Sequence, residues 1–455
     1  MFSSRSAKSS SEPARILLVR PKYSTGLTRF SSIGSISTEP LELEYLAAAV
    51  TKRGHQYHIW DGQVDGSFAR ACRTFQPDLV AITGYYPARD QMLIYAHTVR
   101  QLRPEAVVLI GGVHAELNLA DFQRPEVDLI VHSGGVFTFQ NILAKKRTNK
   151  QRDLSDLAGI SWQDEQGRWQ ENPRAIFNPI ALPRPDRSYF HSHKKRFSWL
   201  YHGPTALVKT GFGCPYTCSF CYCRLLNNGI YQAREVEDVV AEIGTINCSV
   251  IWLIDDTFLL DIQRLQRFAA ELMRQEIKRK FIIYGRADFV SEHPDILPLL
   301  REMGVIEVIV GLEAIDDRGL QEFNKQVSAE QNRHCVSLLR QHNIGCVGLF
   351  IMDQQATATD FIRLDRWIKE VKLTTYTISV FSPFPGTEEY PALADQLLTT
   401  NCRKWDLLHL VLPPLYLSRL GFMGRIWWLH GKLLWRNHKL RWHLLTAALK
   451  FWKQS

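Results

Sequence analysis

Hydrophobic and polar positions along residues 14–146 alternate between short apolar runs and amphipathic segments. The apolar runs are nearly continuous, which is typical of parallel strands buried on both faces. These runs read ARILLVR, QYHIWDG, PDLVAITGY, AVVLIGG and DLIVHSG. The segments LELEYLAAAV, residues 91–101 and FTFQNILAKK between and after them have helical character. The pattern predicts an α/β fold that begins with a doubly wound, Rossmann-like parallel sheet.

A second alternating series starts near residue 205 and has longer helical segments. Its predicted strands are TALVKTG, SVIWLIDD, FIIYGRA, VIEVIVGLEA, IGCVGLFIM and TTYTISVFSP. Six βα-type units indicate a partial TIM-like (β/α)6 barrel rather than a complete eightfold one.

Between and beyond these two series the pattern changes. Residues 147–200 contain a predicted β-hairpin that turns near Gly167 and a proline-stiffened connection, so we interpret them as a linker. The expected organisation is a disordered leader at 1–13, a sheet domain at 14–146, the linker at 147–200, a partial barrel at 201–390 and a basic helical region at 391–455. The polar, Ser-rich leader lacks the apolar segment of a signal peptide.

Composition and charge narrow the functional classes. The 455 residues are 45% hydrophobic and 22% charged, which is ordinary for a globular chain with two or three domains. The odd count of nine cysteines, five of them scattered singly, favours a reducing cytoplasm over a disulfide framework. The net charge of +9 is concentrated in residues 407–455, which hold eight Lys or Arg and no Asp or Glu. The rest of the chain is therefore nearly neutral, which argues against a nucleic-acid partner.

The basic C-terminal region also carries five Trp residues between Trp427 and Trp452. Trp, Leu and basic residues mixed in this way are typical of a helix that lies in a membrane interface. A helix that packs over the open side of the barrel explains the pattern equally well. We therefore expect a cytoplasmic protein, with peripheral contact at the inner face of the membrane as an open alternative. No apolar run reaches the roughly 18 residues of a spanning helix.

Strand ends in both series carry candidate binding residues. In the first series they are small and turn-forming: Thr83 and Gly84, Gly111 and Gly112, and Ser133 and Gly134. Glycine allows a backbone to approach a ligand closely, although plain loop closure explains the same residues. In the second series the strand ends are polar: Asp255, Asp256, Arg286, Asp288, Glu313 and the turn at 382–387. Each could be an ordinary surface charge, but their shared position favours a site at the carboxyl end of the barrel.

Four cysteines lie within ten residues, in TGFGCPYTCSFCYC, directly after the first strand of the second series. Structural zinc usually requires a second cysteine pair elsewhere, and the chain has none, which leaves only a compact zinc knot with Cys223 as fourth ligand. Three thiolates at C-x-x-x-C-x-x-C, from Cys214, Cys218 and Cys221, can instead hold one face of an iron–sulfur cube. One iron then stays open to a substrate or cofactor.

This C-x-x-x-C-x-aromatic-C motif on a partial barrel resembles the radical S-adenosylmethionine superfamily. The resemblance implies a 4Fe–4S cluster whose open iron chelates S-adenosylmethionine, which electron transfer cleaves to a 5′-deoxyadenosyl radical. It also implies that Phe220 lies near the adenine and that Arg286 and Glu313 contact S-adenosylmethionine. Asp256 is a further candidate contact, because the sequence IDDT stands where the family has Gly-Gly-Glu. Cys223 lies outside the motif.

The stretch LIGGVHA at residues 109–115 is similar to the Gly-Gly-x-His stretch of cobalamin-binding domains that precede radical barrels. The residues that this resemblance assigns to cobalamin are Thr83, Gly84, Gly111, Gly112, His114, Ser133 and Gly134. The Asp-x-His-x-x-Gly motif that supplies an axial histidine is missing, since DGQVDG follows the second strand and has Gln for His. We therefore expect no protein histidine on cobalt. Two carboxylates of a Gly-Glu-Gly-Glu stretch are also replaced, by SGGV.

Together the two resemblances cover roughly residues 14–390 and imply a cobalamin-dependent, class B type radical S-adenosylmethionine enzyme. The expected reaction is methyl transfer to an unactivated carbon of an apolar or natural-product-like substrate. The implied partners are a small-molecule or lipid-like substrate and an electron donor such as flavodoxin or ferredoxin. The anaerobic cyclase of magnesium porphyrins shares this architecture, so radical oxidation or rearrangement is an alternative. A non-catalytic protein with a structural metal is a third class. The sequence identifies neither the substrate nor a catalytic residue beyond the cofactor sites.

Overall fold

The computed structural model describes residues 13–22, 36–144 and 154–452, and side chains are described for all of these except 227, 228 and 447–452. The predicted disordered leader lies outside the described residues, apart from Pro13. The chain forms two compact units. Unit 1 comprises residues up to 23 together with 40–189, and unit 2 comprises residues 24–39 together with 190–455.

Unit 1 is built on a seven-stranded sheet in the order β2-β1-β3-β4-β5-β6-β7. Its strands are β1 (Arg15–Arg20), β2 (Gln56–Asp61), β3 (Leu79–Thr83), β4 (Val107–Gly111), β5 (Leu129–Val131), β6 (Ile160–Gln163) and β7 (Trp169–Glu171). The first five are parallel. The strand order reverses between β1 and β3, and ligands of such sheets bind beyond the carboxyl ends of the strands near this point.

Helices cover both faces of this sheet, as the continuous apolar strands predicted. The helices are α1 (Leu41–Lys52), α2 (Phe68–Phe75), α3 (Arg89–Leu102), α4 (Val113–Leu117) and α5 (Gly135–Ala144). Ile16 and Leu18 point to the core formed with α1 and α5, whereas Leu17 and Val19 point to the core formed with α2 and α3. All four side chains are fully buried. The doubly wound fold class is confirmed.

The hairpin predicted near Gly167 is part of the sheet, which corrects its interpretation as linker. β6 pairs antiparallel with β5, placing Ile160 opposite Val131, and β7 pairs antiparallel with β6. Trp162 is buried in the same core as α1 and α5. Burying these two apolar side chains against the edge of the sheet stabilises the hairpin there, whereas the sequence pattern shows only that a hairpin exists.

Unit 2 contains a six-stranded parallel sheet in chain order, which confirms the partial barrel. Its strands are β8 (Thr205–Val208), β9 (Val250–Leu253), β10 (Lys280–Gly285), β11 (Val305–Glu313), β12 (Gly345–Met352) and β13 (Thr375–Val380). Two short antiparallel pairs join Ile36–Ser37 with Ser198–Trp199 and Gly211–Phe212 with Gln232–Ala233.

The helices that follow in the chain are α6 (Ser188–His193), α7 (Val236–Thr245), α8 (Ile262–Arg274), α9 (Ala287–Glu292), α10 (Leu297–Met303), α11 (Asp317–Glu322), α12 (Ala329–Gln341), α13 (Ala358–Glu370), α14 (Glu389–Leu393), α15 (Arg419–Arg436) and α16 (His438–Trp452). Short 3₁₀ turns in the described residues are Tyr86–Ala88, Leu119–Phe122, Pro179–Ala181, Lys194–Arg196, Tyr222–Arg224, Leu226–Gly229, Pro294–Ile296, Ala394–Gln396 and Cys402–Lys404. α6 contains the sequence boundary between the two units.

One face of α15 packs against β13, the last strand of the barrel sheet. Phe422, Ile426 and Leu429 are fully buried, and the hydroxyl of Tyr376 on β13 donates to the carbonyl of Leu429 at 2.9 Å. Lys432 and Arg436 of α15 form ion pairs with Asp365 of α13 at 2.6 and 2.8 Å. The interpretation of the basic region as a packing helix on the open side of the barrel is therefore confirmed for this face.

Candidate active site

The loop that carries the cysteine motif follows β8 and lies at the carboxyl end of the barrel strands. Pairing of Gly211–Phe212 with Gln232–Ala233 holds the two ends of this loop together. Gly213 has a φ of +79°, and a Cβ there would lie 2.2 Å from the carbonyl oxygen of Ile230. Only glycine permits so close an approach, because any Cβ would collide with the backbone. The sequence therefore closes this loop into a compact hairpin around the cysteines.

The cysteines of the motif are buried or half-buried, and each acts on the others electrostatically. Burial raises the pKa of Cys214 to about 11. Burial also raises the pKa of Cys218, and the positive charges of Lys325 and Arg286 oppose this rise. The pKa of Cys221 is lowered, because the Cys223 thiol hydrogen-bonds to it.

Within the described residues, no three side chains of His, Cys, Asp or Glu converge closely enough to hold one metal ion. A 4Fe–4S cube binds each thiolate to a different iron, so its ligands surround a face of the cube instead of meeting at one point. Three neighbouring thiols on one closed loop, beside two buried cationic side chains, fit such an anionic cluster. A four-ligand zinc site would need convergent sulfurs.

Arg286 follows β10 and connects the cysteine loop with two other segments. Its Nη1 lies 3.9 Å from the Sγ of Cys218, and its guanidinium carbon lies 3.7 Å from the ring centre of Tyr216. Its Nη2 donates to Asp288 and to the backbone carbonyl of Lys325, both at 2.8 Å. Arg286 is only 6% exposed. The structure thus brings the predicted residues Arg286 and Cys218 together.

Glu313 ends β11 and points back over its own strand. The register of β11 against β12 shifts between Gly311 and Glu313, and Glu313 has a φ of +56°. The shift turns its carboxylate over Gly311, where a Cβ would lie 2.2 Å from Oε1. The same Oε1 accepts a hydrogen bond from the buried ammonium of Lys325 at 2.8 Å. Since the Lys325 carbonyl accepts from Arg286, the predicted residues Glu313 and Arg286 belong to one network.

Two acidic residues follow β9 and differ in environment. Asp255 is buried and accepts from the backbone N–H of Thr210 at 2.6 Å, and burial raises its pKa. Asp256, the predicted contact, lies 3.3 Å from the ammonium of Lys209 and is partly exposed. Asp255 therefore fixes the end of β8, whereas Asp256 is the carboxylate accessible to a ligand.

Phe220 lies beside the aromatic side chain of Phe323, at the C-terminal end of α11. Its ring meets Phe323 edge to face with a centroid distance of 5.4 Å, and the carbonyl of Phe323 accepts from the N–H of Ser219 at 3.1 Å. The predicted adenine contact is thus held next to a second aromatic surface.

Sequence reasoning missed three residues of this network: Tyr216, Lys209 and Lys325. Lys325 sits in the polar turn FNKQ, which has neither a motif nor hydrophobic periodicity, so no sequence signal could have indicated its burial. Tyr216 lies inside the cysteine motif, and an aromatic residue between two predicted ligands was a usable signal.

In unit 1, the glycine-rich ends of β3, β4 and β5 lie on the same edge of the sheet. Gly112 has a φ of +96°, and a Cβ there would lie 2.5 Å from the hydroxyl of Thr83 and 2.8 Å from the N–H nitrogen of Gly84. The predicted residues Thr83, Gly84, Gly111 and Gly112 are therefore in one contact layer. A Cβ at Gly135, by contrast, would meet no atom within 4 Å, so this backbone borders open space. A platform without side chains beside open space fits a large planar cofactor.

The third loop of this edge is held by side chains of unit 1. The side-chain hydroxyl of Ser133 accepts a hydrogen bond from the N–H of Ala175 at 2.8 Å. The backbone carbonyl of Ser133 accepts a hydrogen bond from the hydroxyl of Thr138 at 2.8 Å. A Cβ at Gly134, whose φ is +73°, would lie 2.5 Å from the Thr138 hydroxyl. Ser133 and Gly134 thus shape the loop, while the adjoining Gly135 presents its backbone.

His114 is 2% exposed and has partners for both ring nitrogens within unit 1. Its Nε2 lies 2.7 Å from Asp121, and its Nδ1 lies 3.5 Å from the amide of Asn118. The backbone N–H of His114 points to the carbonyl of Gly84 at 3.4 Å. This geometry fits a residue that positions the Gly84 and Gly112 loops better than one whose ring contacts a cofactor.

The DGQVDG segment is also used within unit 1. Arg20 binds the buried carboxylate of Asp61 in a bidentate ion pair, with distances of 2.8 and 2.6 Å. The N–H of Gln63 donates to the same carboxylate at 3.0 Å. The segment therefore caps the ends of β1 and β2.

Comparison with known proteins finds two domain families that match parts of this chain. The sequence profile of the radical SAM superfamily matches residues 208–368, and that of the B12 binding domain matches residues 36–142. The hopanoid C-3 methylase of Methylococcus capsulatus is 26% identical over 381 residues, which cover 82% of this chain and 72% of that protein. The anaerobic magnesium-protoporphyrin IX monomethyl ester cyclase of Cereibacter sphaeroides is 24% identical over 424 residues, 89% of this chain and 68% of that protein.

The fold is also shared with a solved structure. The cobalamin-dependent S-adenosylmethionine radical enzyme OxsB, with aqua-cobalamin and S-adenosylmethionine bound, superposes with a TM-score of 0.70 at 16% sequence identity. The match covers 93% of this chain and 66% of the OxsB chain. The shared fold comprises both sheets described above.

Proposed function

We propose that the chain is a cobalamin-dependent radical S-adenosylmethionine methyltransferase that acts on an unactivated carbon of an apolar, lipid-like or natural-product-like substrate. One observation carries this proposal: a B12-binding sheet and a radical barrel with an intact three-cysteine loop occur together in a chain similar to a hopanoid methylase over 82% of its length. When bound, the cluster supplies the electron that cleaves S-adenosylmethionine, and cobalamin supplies the methyl group.

The side chains of the barrel have separate tasks in this proposal. Cys214, Cys218 and Cys221 hold the cluster, and the closed loop that begins at Gly213 keeps them on one side of the barrel mouth. Phe220, next to Phe323, offers an apolar surface for the adenine. Asp256 and Glu313 are acceptors for the amino and hydroxyl groups of S-adenosylmethionine, and each lies beside the ammonium group of a lysine.

In unit 1, Gly112 and Gly135 present backbone to cobalamin, and His114 positions the loops of Gly84 and Gly112. The sequence has no histidine between the end of β1 and residue 54. The cobalt of bound cobalamin would therefore have no histidine ligand from the protein. An electron donor of the flavodoxin or ferredoxin type completes the reaction, because the cluster must be reduced from outside the chain.

Methyl transfer can be distinguished from the alternative radical reaction with labelled cofactor. Anaerobically reconstituted protein, incubated with lipid and metabolite extracts from cells lacking the gene and with methyl-deuterated S-adenosylmethionine, should convert one compound to a product that carries the deuterated methyl group. Mass spectrometry detects this product. The Cys218→Ala protein serves as control and should give none.

An unlabelled product that has lost hydrogen or gained oxygen would instead establish the oxidative cyclase alternative. The similarity to the magnesium-protoporphyrin cyclase supports testing this alternative. A protein that contains no iron after anaerobic reconstitution would contradict both enzymatic proposals and favour the non-catalytic class.

The proposal extends to peripheral attachment at an anionic, cytoplasmic membrane face. α15 and α16 expose large apolar residues: Leu420, Trp427, Trp428, Trp435, Trp442 and Leu445. Residues 407–455 contain no Asp or Glu that would repel anionic lipid. Interfacial burial of Trp and Leu, together with about 1 kcal/mol per basic residue near the surface, suffices for reversible attachment. Within the described residues, no helix meets the length and hydropathy needed to span a membrane.

Attachment can be tested by liposome flotation with a surface variant. Trp427, Trp435 and Trp442 are exposed, so replacing all three with serine should leave the fold intact and abolish co-flotation with phosphatidylglycerol vesicles. Replacing the exposed Ile94, Ile176 and Ile180 with serine is the matched control and should leave co-flotation unchanged. Binding should weaken as salt is added. Equal flotation of the tryptophan variant and the parent protein would limit this region to packing on the barrel.

A further inference from the structure

The guanidinium of Arg286 is almost fully engaged by the protein itself. An arginine has five N–H donors. Nε donates to Asp288 at 3.1 Å, Nη2 donates to Asp288 and to the Lys325 carbonyl at 2.8 Å each, and Nη1 directs one N–H to the sulfur of Cys218 at 3.9 Å. A single N–H of Nη1 is left over. The ring of Tyr216 lies against the guanidinium plane at 3.7 Å.

These contacts fix Arg286 with respect to the cysteine loop. Tyr216 and Cys218 both belong to the motif, whereas Asp288 belongs to α9 and Lys325 to the turn after α11. The guanidinium therefore fastens the loop to the scaffold at the ends of β10 and β11. A side chain held in this way has little freedom to turn toward a diffusible ligand, because its planar donor geometry is already satisfied.

We infer that Arg286 is a positioning residue for the iron–sulfur cluster. Its guanidinium holds the sulfur of Cys218 by an N–H···S hydrogen bond and thereby raises the reduction potential of the cluster. This role replaces the S-adenosylmethionine contact that the family resemblance implied for Arg286. The inference rests on the cluster assignment and is independent of methyl transfer.

The direction of the effect follows from electrostatics. A cluster that gains an electron becomes more negative, so a hydrogen bond to its sulfur and a nearby cation stabilise the reduced form more than the oxidised form. Asp288 offsets part of the cationic charge, but it also orients the guanidinium so that Nη1 faces Cys218. The directed N–H dipole therefore carries most of the effect.

The test is the midpoint potential of the cluster, measured by EPR-monitored redox titration of the reconstituted full-length protein without S-adenosylmethionine. Arg286→Lys keeps the charge but loses the fork that joins Cys218, Asp288 and Lys325, so its potential should shift to more negative values. Cleavage of S-adenosylmethionine with a fixed reductant should slow about 10- to 100-fold, as when outer-shell partners of metal ligands are removed. Tyr216→Phe keeps the ring under the guanidinium and is the control, with the parent potential.

Asp288→Glu keeps the negative charge beside Arg286 but displaces the carboxylate that orients its guanidinium, and a smaller shift in the same direction is expected. This variant carries the test if Arg286→Lys fails to take up iron. Parent potentials in every variant that binds iron would overturn the inference. The inference would also be overturned if the variants keep the parent potential but Arg286→Lys binds S-adenosylmethionine more weakly in calorimetry. That result would restore the contact between Arg286 and S-adenosylmethionine. Failure of the unaltered protein to bind iron would refute the cluster assignment itself, whereas absence of a methylated product would not affect the potentials.

Discussion

Replacing Cys214, Cys218 or Cys221 with alanine should abolish cleavage of S-adenosylmethionine, whereas replacing Cys223 should leave it in place. In the proposed site each of the three thiolates would bind a different iron, so loss of one would leave a second iron without a protein ligand. The Cys223 thiol hydrogen-bonds to Cys221 and is a neighbour rather than a ligand in this scheme. The measurement is the rate of 5′-deoxyadenosine formation by anaerobically reconstituted protein with excess reductant, together with iron content.

Cys248→Ala is a suitable control, because Cys248 is a buried barrel cysteine whose thiol donates to the carbonyl of Pro204, away from the motif. It should retain both iron and activity. Formation of 5′-deoxyadenosine at the parent rate by Cys221→Ala would refute the cluster assignment. Loss of bound metal in Cys223→Ala would instead restore the four-cysteine zinc knot.

Gly112→Ala should lose cobalamin. At φ +96° and ψ −179° an alanine is strained by about 1–3 kcal/mol, since this region of backbone conformation is essentially restricted to glycine. The new Cβ would also collide with the Thr83 hydroxyl at 2.5 Å and with the backbone of Gly84 at 2.8 Å and 2.9 Å. Backbone cannot yield as a flexible side chain does, so the loop after β3 must move. The measurement is corrinoid absorbance that co-elutes with the protein in anaerobic gel filtration.

Gly66→Ala provides the matched control in unit 1, because a Cβ there meets no atom within 4 Å and its φ is not positive. It should retain corrinoid and thermal stability. Circular dichroism of Gly112→Ala separates a local effect on the loop from unfolding of unit 1. Parent-level corrinoid in Gly112→Ala would contradict the proposed platform. Absence of corrinoid in the unaltered protein would reassign unit 1 to substrate binding or to a vestigial domain.

The secondary structure was largely predictable because the strands of both sheets are buried on two faces and read as continuous apolar runs. Ile16 to Val19 illustrate this, since successive residues all enter one core or the other. The hairpin at Ile160 to Glu171 was visible as a pattern, but its attachment to β5 was not. That attachment buries Trp162 in the core formed with α1 and α5, and periodicity carries no information about which edge a strand joins.

For the candidate site, the spacing C-x-x-x-C-x-x-C predicted the cysteines as cluster ligands, because it places three thiols on one short loop. The residues around them come from distant parts of the chain and have no common spacing. Lys325 approaches Glu313 only because a register shift at Gly311 turns the carboxylate back. His114 was assigned by resemblance, yet its two ring partners, Asp121 and Asn118, could be identified only in three dimensions. Assignment of roles from the resemblance remains a prediction for all of these residues.

The order of elements along the chain has a consequence for synthesis on the ribosome. β13 is an edge strand, and the helix that packs on it, α15, emerges only after all six barrel strands. Until α15 arrives, the nascent barrel exposes Tyr376 and Phe361, which contact α15 in the folded protein, and an edge strand with which other chains can pair. In a chain truncated before Ser418, this surface would stay exposed permanently. Messenger RNAs truncated in this region should therefore produce chains that aggregate and are bound by chaperones or degraded by proteases, and not a shorter functional barrel.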